Sequence, residues 1–278
     1  MEISLGFPYN FERALARLAL DPLHAVELAE RSIKVPMAEG NLIQVQAIGS
    51  TEKPLFRVTG AMDGQVETIK ELFHFHLSLD PVQEHFKETG LARLFAEHQG
   101  TPLIREFSLY GCLMKSIIHQ QLNLAFAHTL TSRFVQSFGM EKEGVWFYPS
   151  PATIAGLQVA DLRELQFSSR KAEYVIGLSQ AIESGALDLP GMRSKSDEEV
   201  TAEMISYRGV GPWTAQNFLL FGLGRPNLFP LADIGLQNAL KAQWQLDEKP
   251  KQEEIIKFLP EWSPYLSYAA LYLWRSVE

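Results

Sequence analysis

Apolar positions recur at helical spacing along most of the chain and at strand spacing in its first quarter. Residues 11–20 carry helical apolar spacing. Residues 32–37, 42–49 and 55–59 are short β-prone runs, separated by Gly40-Asn41 and Lys53-Pro54. The stretches 65–77 and 81–98 then predict two amphipathic helices. From Pro102 the texture changes. The stretch 107–138 keeps a helical period with almost no breaker after Gly111. Further helices are predicted over 151–155, 159–165, 171–184, 197–207, 212–223, 234–244, 252–259 and 263–276, and no convincing strand is predicted in this part. The pattern predicts a mainly α chain: a smaller α+β domain over 1–104, followed by an all-α domain over 105–278.

Composition narrows the class. The 278 residues are 46% hydrophobic and 21% charged, as in a globular protein. One cysteine, Cys112, excludes an intrachain disulfide and a four-cysteine zinc or iron–sulfur site. No apolar run reaches the roughly 18 residues of a membrane span. The start MEISLGFPYN lacks the basic-then-apolar pattern of a signal peptide, so a reduced, cytoplasmic, monomeric protein is expected. The net charge of −8 argues against bulk attraction to nucleic acid, but most of the acid lies early. Residues 1–104 hold 9 basic and 14 acidic side chains, whereas 105–180 hold 7 and 6. Any phosphate site must therefore rest on local geometry and backbone dipoles.

Residues 197–236, DEEVTAEMISYRGVGPWTAQNFLLFGLGRPNLFPLADIGL, carry the candidate chemistry. Asp197 is the expected cap of a helix with Glu198 and Glu199 at its positive end. The turn Arg208-Gly209-Val210-Gly211 follows, and Pro212 suits the first position of a new helix. Such a hairpin leaves backbone N–H groups unpaired, with Gly209, Gly211, Trp213 and Thr214 as donors for an anion; a packing turn between helices is the other reading. Asp233, in PLADIGL, has the context of a helix N-cap, and a carboxylate there can also serve chemistry. Phosphate-binding and dinucleotide fingerprints are not present, since GLGRPN follows a helix. His74 and His76 lack a third ligand nearby in sequence.

Together RGVGPWTA, the spacer LLFGLGRPNLFP and the aspartate of ADIGL resemble the helix-hairpin-helix (HhH-GPD) DNA glycosylase superfamily. With SIIHQQLNLAFA, QFSSRKAEYVIGLSQAI and WSPYLSYAALYLW, the resemblance points to its DNA-3-methyladenine glycosylase II (AlkA-like) branch over about 105–275. The first hundred residues fit that branch's N-terminal domain by size and pattern. The resemblance implies excision of alkylated purines such as 3-methyladenine and 7-methylguanine from duplex DNA by base flipping, at the start of base-excision repair.

By the same resemblance, Asp233 faces the extruded nucleotide's sugar and steadies the oxocarbenium-like cation left by the departing base. A base that is already cationic leaves without a second acid. Gly209, Val210, Gly211 and Thr214 would grip the DNA backbone. The carbonyls of Ile205, Tyr207 and Val210 would hold a Na+ or K+; no other cofactor and no iron–sulfur cluster is implied. Gln120, Gln121 and Leu122 stand at the wedge position, with Gln121 or Leu122 as the intercalating residue or Leu122 and Leu124 as core. Trp213, Asn217, Trp262 and Tyr265 match the base pocket.

Trp213 occupies the position where bifunctional relatives such as 8-oxoguanine glycosylase carry a nucleophilic lysine. An indole forms no Schiff base, which implies hydrolysis without lyase chemistry. It either stacks on the base or packs in the core. Where a close branch member reads W-x-P-W-R-S, this chain has WSPYLS, so Leu266 replaces an arginine. Asn217 replaces an aromatic, implying a more polar pocket with a shifted base preference. Arg170 and Lys171 are outer phosphate contacts or a solvated helix start. A non-catalytic DNA-binding protein in which Asp233 merely caps remains the alternative, with a glycosylase for other damaged bases or a bifunctional glycosylase/lyase beside it.

Overall fold

Alternating burial along Leu42–Ala47, with Ile43, Val45 and Ala47 inward, makes that strand the centre of the N-terminal sheet. The computed structural model describes residues 1–277. In chain order the first part comprises β1 (Glu2–Ser4), α1 (Phe11–Leu18), β2 (Ala25–Glu27), β3 (Ser32–Pro36), β4 (Leu42–Ala47), β5 (Leu55–Thr59) and α2 (Gln65–Leu72). The strands form an antiparallel sheet ordered β1-β5-β4-β3-β2, with Val45 opposite Val58 and Ala47 opposite Phe56. The two edge strands, three residues each, are too short to show a period in the sequence. Aromatics close the inner face: Phe56 and Phe75 stack at 4.3 Å, and the Tyr9 hydroxyl donates to the Phe73 carbonyl at 2.7 Å.

The second predicted helical stretch, 81–98, divides into α3 (Asp80–Phe86) and α4 (Ala92–Glu97). The expected division at 104 does not match the packing. Phe86 stacks on Phe95 at 3.8 Å, and Phe95 on Tyr272 at 4.1 Å, so α3 and α4 share a core with the C-terminal helices rather than with the sheet.

The expected single helix over 107–138 is two: α5 (Leu109–His119) and α6 (Leu124–Phe138). Between them Gln121 adopts φ +57, and the Asn123 side chain accepts the Phe126 amide at 2.9 Å to cap α6. Contrary to the expectation of no strands here, β6 (Met140–Lys142) and β7 (Val145–Phe147) form a hairpin. Its turn residues Glu143 and Gly144 both have positive φ, the two-residue geometry that matches strand twist.

Next come α7 (Pro151–Ala155), α8 (Val159–Glu164), α9 (Ser169–Glu183) and α10 (Asp197–Ile205). Ser196, not Asp197, caps α10: its hydroxyl accepts the Glu199 amide, and Glu199 Oε2 accepts the Ser196 amide at 2.8 Å, which places Asp197 in the first turn. The helix expected over 212–223 is α11 (Pro212–Asn217) running into a π-helical turn, Phe218–Gly222. The chain ends in α12 (Ile234–Gln243), α13 (Gln252–Ile256), α14 (Leu259–Trp262) and α15 (Leu266–Arg275). The central helical core joins α5, α6 and α9 through Leu113, Ile117, Phe134 and Val175.

A buried ion network ties the N-terminal part to α5. Lys115 Nζ lies 2.7 Å from both Asp21 Oδ2 and Glu106 Oε1. Burial opposes all three charges. The opposed charges of Lys115 nevertheless hold both carboxyls below their ordinary range, and the two carboxylates raise the lysine.

Two histidines are held neutral. Burial, then Arg105 and His76, lowers His74 to about 3; burial, then Lys115 and His128, lowers His119 to about 3. Below the unfolded value of 6.5 the unfolded chain binds protons that the folded chain refuses. Stability is therefore expected to fall as pH drops from about 6.5 toward 3, with Asp21 and Glu106 adding to the loss below about 4. Urea midpoints measured across this range should decline steadily, and His119→Gln should flatten the slope between about pH 6.5 and 4.5.

Candidate functional site

Three chain segments, far apart in sequence, meet through hydrogen bonds made at helix ends. The first is the hairpin between α10 and α11. Gly209 has φ +95, and a Cβ there would lie 2.3 Å from Cγ of Tyr174, so the turn needs glycine for both conformation and space. Arg208 lies over the Tyr174 ring at 5.6 Å and pairs with Glu173 at 2.9 Å. Gly211 is the N-cap residue and Pro212 opens α11. The Val210 amide bonds the Tyr207 carbonyl. Among the described hydrogen bonds the amides of Gly209, Gly211, Trp213 and Thr214 find no acceptor, as at any helix start.

The second segment is the 120–123 loop. The Gln120 side-chain amide donates to the Gly209 carbonyl and to Thr214 Oγ1, both at 2.8 Å, and so joins this loop to the hairpin. Lys171, expected on the surface, instead points inward. Its Nζ donates to the carbonyls of Ile118 at 2.5 Å, Gln120 at 2.9 Å and Ile117 at 3.2 Å, the negative end of α5. Burial pulls its pKa down to about 8, while those carbonyls favour the charged form. With Gln120 anchored and Leu122 packed against the core, Gln121 is the member of the wedge trio that is exposed, held in the left-handed region. Leu124, one of two leucines with a core reading, is 61% exposed. Arg170 is exposed as well.

The third segment carries Asp233. It caps α12 as predicted, Oδ1 accepting the Leu236 amide at 2.9 Å. The same oxygen accepts Trp274 Nε1–H at 3.0 Å, a bond across 41 residues. Among the described residues no donor bonds Oδ2. Trp274 packs on Phe221 at 5.8 Å, in the π-helical turn that continues α11, and Arg17 of α1 lies over both rings at 5.4 and 5.6 Å. The hairpin's second helix and the Asp233 cap thus share one aromatic contact.

Trp213 is half-buried and joins none of the three apolar clusters, so the core reading does not hold for it. Asn217 is half-buried and donates to the Trp213 carbonyl at 2.8 Å. Trp262 departs from its expected place: at 1% exposure it is core, ringed by Phe229 and Phe258, and cannot line an open pocket. Tyr265 is half-buried, edge-on to His85 at 5.3 Å. Trp274, Lys171 and Tyr174 all lie within the motifs WSPYLSYAALYLW and QFSSRKAEYVIGLSQAI, but their contacts depend on α15 and α9 crossing other elements. No local signal in the sequence pairs Trp274 with Asp233, since the bond spans 41 residues.

A model of the HhH-GPD superfamily of base excision DNA repair proteins matches residues 114–264. The chain is 52% identical to the putative DNA-3-methyladenine glycosylase YfjP of Bacillus subtilis, covering 100% of this chain and 99% of that protein. It is 27% identical to DNA-3-methyladenine glycosylase 2 of Escherichia coli, over 96% and 94% of the two chains. In fold it matches the 3-methyladenine DNA-glycosylase of Archaeoglobus fulgidus with a TM-score of 0.83 at 23% identity, over 99% and 97% of the two chains.

The two hairpin glycines separate conformation from mere presence. Gly209→Ala should destabilise the protein by about 2 kcal/mol. At Gly211 a Cβ meets nothing within 4 Å and φ is −106, so Gly211→Ala should change stability by less than about 0.5 kcal/mol. Urea unfolding of the two variants checks the contrast.

Proposed function

Because the chain belongs to the HhH-GPD superfamily of base excision DNA repair proteins, we propose that it is a monofunctional N-glycosyl hydrolase that excises alkylated purines from duplex DNA. The observation that carries this reading is the Asp233 carboxylate, with Oδ1 committed to Leu236 and Trp274 and Oδ2 uncommitted. An alkylpurine such as 3-methyladenine or 7-methylguanine is cationic while still attached to the sugar. Its departure needs no proton from the protein. What the reaction needs is stabilisation of the sugar cation that remains, and a fixed anion supplies it through charge developing in the transition state. The same Oδ2 orients the attacking water and receives its proton as the new C–O bond forms.

The surrounding groups have distinct roles in this reading. The free amides of Gly209, Gly211 and Thr214, with Val210 between, hold a backbone phosphate without net positive charge. Gln121 enters the gap left by the flipped nucleotide, its loop fixed to the hairpin through Gln120 and to α9 through Lys171. Leu122 supports this loop from the core. Trp213 and Tyr265 receive the base on their ring faces, Asn217 offers its amide oxygen, and Trp262 backs the pocket from the interior. The carbonyls of Ile205, Tyr207 and Val210 suit a hard monovalent cation. Tyr207 already accepts the Val210 amide with one lone pair, and Ile205 lies at the open end of α10. When bound, that cation would add positive charge beside the hairpin and so favour an anionic phosphate there.

Mass spectrometry of bases released from methylated duplex DNA tests the reading. Wild-type protein should release alkylpurines, and Asp233→Asn should reduce release by about a hundredfold or more. Trp274→Phe, which removes one bond to Oδ1, should lower kcat by about tenfold with KM little changed. Borohydride should trap no covalent protein–DNA adduct; a trapped adduct would replace this reading with a lyase mechanism.

A further inference from the structure

The N-terminal part reaches the Asp233 site through α1. Phe11, Ala14 and Leu15 of this helix lie in the core of the N-terminal sheet. Arg13 and Arg17, four residues apart and so one turn from each other, serve the side that meets α15. The Arg13 carbonyl accepts Arg275 Nη2–H at 2.9 Å, a bond across 262 residues. The half-buried Arg17 guanidinium lies over the Trp274 ring at 5.6 Å and the Phe221 ring at 5.4 Å, both within cation–π range. The edge of the same indole is on Asp233, with Nε1–H donating to Oδ1 at 3.0 Å. Gly235 leaves the room for that contact. A Cβ there would lie 3.0 Å from Asp233 Oδ1 and 3.2 Å from Trp274 Nε1.

A cation on the face of an indole has two effects. It attracts the ring and so holds it in place, and it draws electron density from the ring, which strengthens Nε1–H as a donor. Because α1 is anchored in the sheet by its own apolar face, the charge it delivers is fixed relative to Trp274. We propose that Arg17 is a positioning residue for the Asp233 carboxylate, acting through Trp274, and that the N-terminal part thereby completes the candidate catalytic site. An effect that passes through one N–H cannot exceed the loss of that N–H. A guanidinium that gripped a phosphate would act instead on DNA affinity and its salt dependence. These consequences separate positioning from direct contact with DNA.

Two measurements test this, and only the second rests on the excision proposed above. In proton–nitrogen correlation spectra of the full chain, the five tryptophans give five indole signals, and the one lost in Trp274→Phe belongs to Trp274. Arg17→Met, and Arg17→Gln as a polar uncharged second variant, should move that signal and speed its exchange with solvent severalfold, with the remaining indole signals in place. Arg17→Lys should restore it. In alkylpurine release, Arg17→Met should lower kcat about fivefold with KM within about twofold of wild type, and Arg17→Lys should recover most of the loss. In a Trp274→Phe background, Arg17→Met should cost less than about twofold. An unmoved Trp274 signal, a rise in KM with a shallower salt dependence, no recovery with lysine, or equal losses in both backgrounds overturns the proposal. If wild-type protein releases no alkylpurine, the excision reading fails, and the Trp274 signal still decides this one.

Discussion

One carboxylate oxygen holding two donors is the constraint on which the site depends. Asp233 Oδ1 accepts from its own helix and from Trp274 near the end of the chain. A capping bond fixes where a carboxylate sits, but the first turn alone leaves it some rotation. The indole removes that freedom and links the carboxylate to Phe221 and Arg17 through the Trp274 ring. A pre-set anion stabilises developing positive charge without reorganising at the moment it is needed, which is the property the proposed role of Asp233 calls for.

Elsewhere in the site the same logic of helix ends repeats. The open carbonyls of α5 are met by a lysine from α9, and the hairpin's Gly209 carbonyl by the Gln120 side-chain amide of the 120–123 loop. Backbone groups that a helix leaves unpaired must find partners. Here the partners come from different elements, so satisfying them also fixes the loop and the hairpin relative to each other. Gln121 can then take a left-handed conformation at an exposed position, a strain its anchored neighbours hold in place.

The N-terminal part is joined to the helical part by chemistry as well as by packing. Lys115 between Asp21 and Glu106 is a buried network whose removal in part would leave an uncompensated charge. Phe86, Phe95 and Tyr272 stack across the expected boundary at 104. Sequence patterning could not reveal this, since an amphipathic helix shows which face it buries and not which neighbour receives it.

Local chemistry was readable directly. The glycine hairpin, Pro212 at a helix start, Asp233 as a cap and most helix positions follow from rules that operate within a few residues. The break at 120–123 and the β6–β7 turn were missed, although Asn123 and Glu143-Gly144 are local signals; a continuous apolar period masked the first, and strands of three residues are too short to show the second. The tertiary structure alone decided that Trp262 is core while Trp213 is half-open, that Lys171 turns inward, and that Trp274 reaches Asp233. Those outcomes depend on how helices cross, which is set by the summed packing of many side chains and is written in no single stretch of sequence.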